Sequence, residues 1–344
     1  MKISYSWLKD YIALEQSPEE VGKILTQIGL EVSGIEEVET VKGGMRGLVI
    51  GEVVTCVPHS NSDHLSKTTV NIGTGDLLDI VCGAPNVAAG QKVVVATVGT
   101  TLYMGNDEFT IKKSKIRGET SEGMICAEDE IGIGTDHAGI IVLDENAKIG
   151  TLAKDYFKVE SDWAIEVDLT PNRIDAGSHI GIARDLAAFL RKSQNISVKR
   201  PSVDHFKVDN HNLEIPVELL NAESCPRYSG VTISDVTVKE SPAWLKQRLK
   251  TIGLSPINNI VDITNFVLHE TGQPLHAFDA AEISGSKVVV RTMDSGTKFV
   301  TLDGVERELN ENDLMICNAE TGMCIGGVFG GLTSGVKDST KNIF

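Results

Sequence analysis

Apolar residues near the start of the chain recur at two spacings. Between positions 17 and 29, Val21, Ile24, Leu25 and Ile28 follow the three-to-four interval of one helix face. Ser17, Pro18 and Glu20 stand ahead of them as a capping box with proline in the first turn, and Gly29 predicts the end. The next stretch, LEVSGIEEVE, alternates apolar and polar residues and predicts a half-buried strand. After the joint Lys42-Gly43-Gly44 come GLVIGEVVTCV, KTTVNI, LLDIVC, KVVVATV and FTIKKSKI, divided by Gly, Asn, Asp and Pro. Short strands spaced by about ten residues predict a small closed or nearly closed barrel.

Further on, WAIEVD alternates like a strand, and Ser178 caps a predicted helix that carries Ile182, Leu186 and Leu190 toward a core. Residues 194–212 are polar, contain Pro201 and lack a period, which predicts a linker. Ser241 and Pro242 open another helix, with Trp244, Leu245, Leu249 and Ile252 inward and Gly253 at its end. In NNIVDITNFVLHETGQPLHAFD, residues 258–279, Asp262 is the predicted N-cap and Ile263, Phe266 and Val267 form an apolar face. Gly272 and Pro274 stop that helix, and His276 falls just beyond it.

A chain of 344 residues exceeds one ordinary core and implies two or three domains. Its 41% hydrophobic and 23% charged residues are those of a globular protein. No apolar run approaches the roughly 20 residues that span a bilayer, and Lys9 and Asp10 interrupt the start where a signal peptide would be continuous, so a cytoplasmic location is expected. The six cysteines include no CxxC pair and the eight histidines no HExxH, so neither a zinc site nor a disulfide framework is expected. His59, Asp63 and His64 are read as residues of an Asn- and Ser-rich turn.

The net charge of −16 argues against indiscriminate nucleic-acid binding, which needs excess cations to displace phosphate counterions. Lys112, Lys113, Lys115 and Arg117 nevertheless cluster, and strand alternation would set the last three on one side. That stripe fits either phosphate contact or a solvated edge guarded against aggregation. Asn172, Arg173 and Asp175 read as turn residues with an ion pair. The 258–279 stretch groups Thr264, Asn265, Pro274 and His276 around one helix end, as in a pocket wall; the plainer alternative is local backbone satisfaction and an ordinary histidine.

Three motifs, HSNSDHL at 59–65, VCGAPN at 81–86 and KIRGETSEGMIC at 115–126, resemble the tRNA-binding domain family, an OB-fold module. LTPNRID followed by GIARDLAA, then CPRY, SPAWLKQRL, NNIVDITN, GQPLHAFD and GGVFGG, resemble in order the β subunit of bacterial phenylalanyl-tRNA synthetase. The resemblance implies a multidomain α+β chain. Residues 1–39 and 152–195 would form a discontinuous N-terminal α/β domain, 40–151 an inserted OB-fold β-barrel that binds tRNA, and 196–344 an α+β editing domain. It further implies hydrolysis of tRNA-Phe mischarged with tyrosine, in a class II aminoacyl-tRNA synthetase whose α subunit holds the synthetic site. The implied assembly is α2β2, ATP and Mg2+ serve the complete enzyme, and neither DNA nor a membrane is a partner.

On that resemblance His276 orients or deprotonates water or holds the ester end, Thr264 and Asn265 hold substrate polar groups, and Pro274, Ala277 and Phe278 form the wall. Lys112, Lys113, Lys115 and Arg117 touch RNA, and Asp279 fixes the tautomer of His276. Two departures stand out. Ser255 occupies a position often held by arginine, and the chain stops at Phe344 before a segment that carries a pocket glutamate, which suggests the N-terminal portion of a longer subunit with an incomplete editing site. A non-catalytic RNA-binding scaffold is the alternative.

Overall fold

The computed structural model describes residues 1–104, 107–159 and 161–344. The chain divides into two compact units, one of Met1–Glu36 with Trp163–Phe344 and one of Glu37–Asp162.

In the first unit, Lys2–Ser4, Ser161–Asp168 and Glu31–Glu39 form a three-stranded sheet in that order. The Pro18–Gln27 helix carries the complete reciprocal capping box of Ser17 and Glu20, which satisfies two otherwise orphaned backbone donors. Past it, Gly29 takes a φ of +94° that a side chain would oppose. The His179–Leu190 helix starts where Ser178 accepts from Gly181 N. Ile3, Trp7, Leu25, Ile165, Ile182 and Leu186 close a core around these elements.

Two later helices, Ala243–Thr251 and Asn259–Thr271, pack on that same core through Leu245, Leu249 and Phe266. Trp7 is fully buried and stacks on His179 at 3.8 Å and on Phe266 at 4.5 Å between ring centroids. Two details depart from the sequence reading. Trp244, expected inward, is 54% exposed at the helix edge, while Leu245 beside it is buried. Asn258, not Asp262, caps the second helix, its side chain accepting from Ile260 N and Val261 N. Asp262 sits inside the first turn, fully buried. There its carboxyl oxygens accept from Ser241 Oγ at 2.5 Å and Ile257 N at 2.9 Å, so hydrogen bonds replace the water lost on burial.

The same unit holds a five-stranded sheet in the order Val217–Leu219, Val288–Thr292, Leu314–Cys317, Gly322–Ile325 and Phe329–Gly330. The first pair is parallel and the others antiparallel. Val288, Val290, Ile316 and Phe278 share one core; Val289, Met315, Cys317 and Phe299 share another. Alternate residues of one strand thus feed opposite cores, and a sheet covered on both faces explains why VVV reads as a continuous apolar run. Phe278, expected in a pocket wall, is instead a fully buried core residue. Its backbone pairs with Phe344, N–H to O at 2.9 and 3.0 Å in the two directions.

The second unit is built on antiparallel strands in the order Gly123–Ile125, Lys92–Thr97, Leu48–Pro58, Ser66–Asn71 and Leu77–Cys82. The two ends of the sheet are joined where Glu122 N donates to Asp79 O at 2.8 Å and Val81 N to Ser121 Oγ at 3.2 Å. The predicted fifth strand FTIKKSKI is two pieces. Asp107–Thr110 pairs back on Thr101–Met104, and Ser114–Ile116 on Glu119–Ser121. The closing strand is Gly123–Ile125, whose Ile125 enters the core as the lysines of 112–115 cannot.

Candidate nucleic-acid and hydrolytic sites

The basic residues of the second unit lie on and beside a tight hairpin. Ser114 pairs with Ser121, Lys115 with Thr120 and Ile116 with Glu119. Arg117 (φ 49°) and Gly118 (φ 98°) form the turn between them, two positive φ angles in succession as the twist of a two-residue hairpin demands. Arg117 therefore lies in the turn, and the single strand face expected for Lys113, Lys115 and Arg117 does not exist.

His59 straps this hairpin to the turn at 59–65. Its Nδ1 accepts from Asn61 N at 3.0 Å, which leaves Nε2–H to donate to Ile116 O at 3.3 Å. Arg117 Nη1 donates to Asn61 O at 3.1 Å. Sequence reasoning passed over His59 as a turn residue; its 5% exposure marks it as a buried positioning group. Lys113 pairs with Glu122, and that hydrogen bond holds the Glu122 carboxyl below its usual range. Lys112 and Lys115 are exposed and have no ion-pair partner among the described residues.

His276 follows the Asn259–Thr271 helix and the left-handed Gly272 that ends it. The residue is surface-exposed, yet one edge of its ring is shielded. It meets Phe278 at 4.5 Å between centroids and 61° between planes. On the other side it lies so close to Gly330 that a Cβ there would stand 2.6 Å from His276 Cε1. This desolvation lowers the imidazole pKa, so the ring is neutral near pH 7. Gly326 to Gly331 form a hairpin between the Gly322–Ile325 and Phe329–Gly330 strands, and no helix begins there as a phosphate-binding loop requires.

The other residues of this group have separate duties. Thr264 donates its hydroxyl to Val261 O at 2.7 Å within its own helix. Asn265 is half-buried and Pro274 exposed. Ala277 is half-buried beside the core residue Phe278. No hydrogen bond or ring contact among the described residues joins Thr264 or Asn265 to His276. Asp279 does not hold the histidine's tautomer: its Oδ1 accepts from Ala281 N at 3.0 Å and its Oδ2 from Thr340 Oγ1 at 2.6 Å. The carboxylate is spent on tying two loops together.

Residues 48–152 match the putative tRNA binding domain model, and residues 224–344 match the B3/4 domain model. The whole chain aligns with phenylalanine–tRNA ligase β subunits, at 64% identity to that of Bacteroides fragilis, 59% to that of Porphyromonas gingivalis and 45% to that of Salinibacter ruber. Each alignment covers 100% of this chain and 42% of the relative. The chain belongs to the phenylalanine–tRNA ligase β-subunit family. It spans less than half the length of these relatives. A solved N-terminal fragment of the phenylalanyl-tRNA synthetase β subunit from Pyrococcus horikoshii shares 15% identity over 53% of this chain and 54% of that one, with a TM-score of 0.30, a likeness too low to bear on the fold.

Within the chain, the basic hairpin falls in the segment matched by the tRNA binding model and His276 in the B3/4 segment. Among the described residues no three His, Cys, Asp or Glu side chains are grouped to hold a metal ion, and the glycine hairpin lacks the geometry for nucleotide phosphates. No helix among the described residues is long and apolar enough to cross a membrane.

Proposed function

We propose that this chain is the part of a phenylalanine–tRNA ligase β subunit that binds tRNA-Phe and hydrolyses tyrosyl-tRNA-Phe formed in error. In this reading residues 1–39 with 152–195 form one domain, 40–151 is inserted into it as the tRNA-binding barrel, and 196–344 belongs to the editing domain. Phenylalanylation with ATP and Mg2+ takes place on a partner α subunit in an α2β2 enzyme.

One observation carries the hydrolytic reading: an open imidazole, neutral at physiological pH, is backed by Gly330, where a side chain would collide with the ring. A neutral imidazole accepts a proton from water, and a water so held attacks the ester carbonyl without a covalent intermediate. The selective need is physical. A pocket for phenylalanine rejects an analogue with one added hydroxyl by only about 100-fold, so a second site must remove what the first admits.

In the α2β2 enzyme, His276→Ala should slow deacylation of tyrosyl-tRNA-Phe by about 100-fold with phenylalanylation intact. Unchanged deacylation would remove His276 from the chemistry. A second reading, RNA binding and scaffolding without hydrolysis, is favoured by the Thr264 hydroxyl being engaged in its own helix. It predicts that the same substitution alters tRNA affinity and nothing else.

A further inference from the structure

Between the segment after the Leu77–Cys82 strand and the segment after the Gly123–Ile125 strand lies a cavity of about 330 Å3. Its walls include Gly83, Ala84, Pro85, Ala127, Ala138 and Gly139. That volume stands at the lower end of the roughly 300–1,000 Å3 typical of small-ligand pockets, room for a base and its sugar. Small apolar walls suit the flat face of a ring. Gly139 has no room for a Cβ, which would stand 2.4 Å from Asn86 Oδ1. Asn86 in turn clamps Ile140 through N–H and C=O at 2.9 Å each, so the slot is a built feature.

Two polar side chains line it. Glu130 Oε2 accepts from Ala127 N at 2.7 Å, and its other oxygen has no hydrogen-bond partner among the described residues. His137 Nδ1 lies 3.0 Å from Asp129 Oδ1, a hydrogen bond that raises the imidazole pKa. Asp129 and Asp136 act electrostatically on His137, and their negative charge opposes a phosphate beside it.

We propose that this cavity receives one unstacked guanine base of an RNA, with the Glu130 carboxylate reading its Watson–Crick edge. The adjacent N1–H and N2–H donors of guanine match a carboxylate acceptor, and its O6 or N7 accepts from His137. Adenine offers a single donor group and uracil a single N–H. The backbone phosphates belong to the basic hairpin; the base belongs to the acidic slot. The RNA source of the base rests on the tRNA-binding reading of this unit.

The test titrates the 344-residue chain with GMP, AMP and UMP by equilibrium dialysis, with tRNA binding measured in parallel. GMP should bind about tenfold more tightly than AMP or UMP. Ala84→Leu, which fills the slot from a half-exposed position, should abolish GMP binding without shifting the melting temperature, and Glu130→Gln should erase the preference for GMP. Absence of saturable GMP binding, or GMP binding that survives Ala84→Leu, overturns the pocket and leaves the RNA reading standing if tRNA still binds. GMP binding in a chain that binds no tRNA overturns RNA as the source of the base.

Discussion

At Gly330 an added methyl would collide with His276 Cε1 at 2.6 Å and with Leu302 Cδ1 at 3.0 Å. Leu302 is half-exposed and free to turn aside, but the histidine ring is fixed against Phe278 on its other face. Gly330→Ala should therefore displace the ring. Tyrosyl-tRNA-Phe deacylation by the complete enzyme should fall at least about tenfold, a 1.4 kcal/mol loss of transition-state stabilisation. Far-UV circular dichroism should be unchanged.

Ser241 and Asp262 make the opposite kind of site, entirely structural. Ser241→Ala leaves a buried carboxylate one donor short. It should destabilise the first unit by about 1–3 kcal/mol, read as a lower urea midpoint. Asp262 illustrates how far single residues are legible. An aspartate ahead of an apolar helical run carries the signature of a cap, yet Asn258 four residues earlier offers the same chemistry, and tertiary burial decided between them.

Among the elements, the 114–121 hairpin shows what a charge pattern leaves open. KKSK has the composition of a solvated edge and of a phosphate stripe alike, and strand alternation cannot be applied across a turn at residue 117. The ion-pair map separates the four cations. Lys112 and Lys115 are open, Lys113 is bound to Glu122, and Arg117 is tied to a backbone carbonyl. Replacing Lys112 and Lys115 together with alanine should reduce the log–log salt slope of tRNA binding by about 2, and Lys113→Ala by less than 1. Filter binding of tRNA between low and moderate salt measures both. Equal slopes in all variants would make the stripe a solvated edge.

The elements that sequence predicted best are those with local punctuation. Ser17 and Glu20 specify the Pro18–Gln27 helix within four residues, and the structure contains both bonds of that box. The barrel's closing strand was missed because closure is a long-range event. Gly123–Ile125 is three residues long, too short for periodicity to register, and is fixed by partners on Lys92–Thr97.

Over the whole molecule, acid should weaken the first unit through the half-buried His269. Burial, and then the N-terminal ammonium, lower the pKa of His269 below its ordinary 6.5. The unfolded chain then binds the proton more readily than the folded one. The contribution of His269 to stability is complete above pH 6.5 and is lost as pH falls from there toward the depressed value. His269→Gln should flatten the stability profile just below pH 6.5, checked by urea titrations at a series of pH values. The same sign at His276 means that the proposed hydrolysis should stay on its plateau to a pH below 6.5.

Sequence alone determined the helices with caps, the strands with alternation, the absence of a metal-ligand spacing and, through ordered motifs, the family. These follow from local rules, in which a few neighbouring residues decide backbone conformation. Tertiary structure decided the rest. It sent Phe278 into a core, spent Asp279 on a loop, set Trp244 at the surface and laid Gly330 against His276. Each of those outcomes depends on which distant segment fills the space beside a side chain, and spacing along the chain carries no information about that.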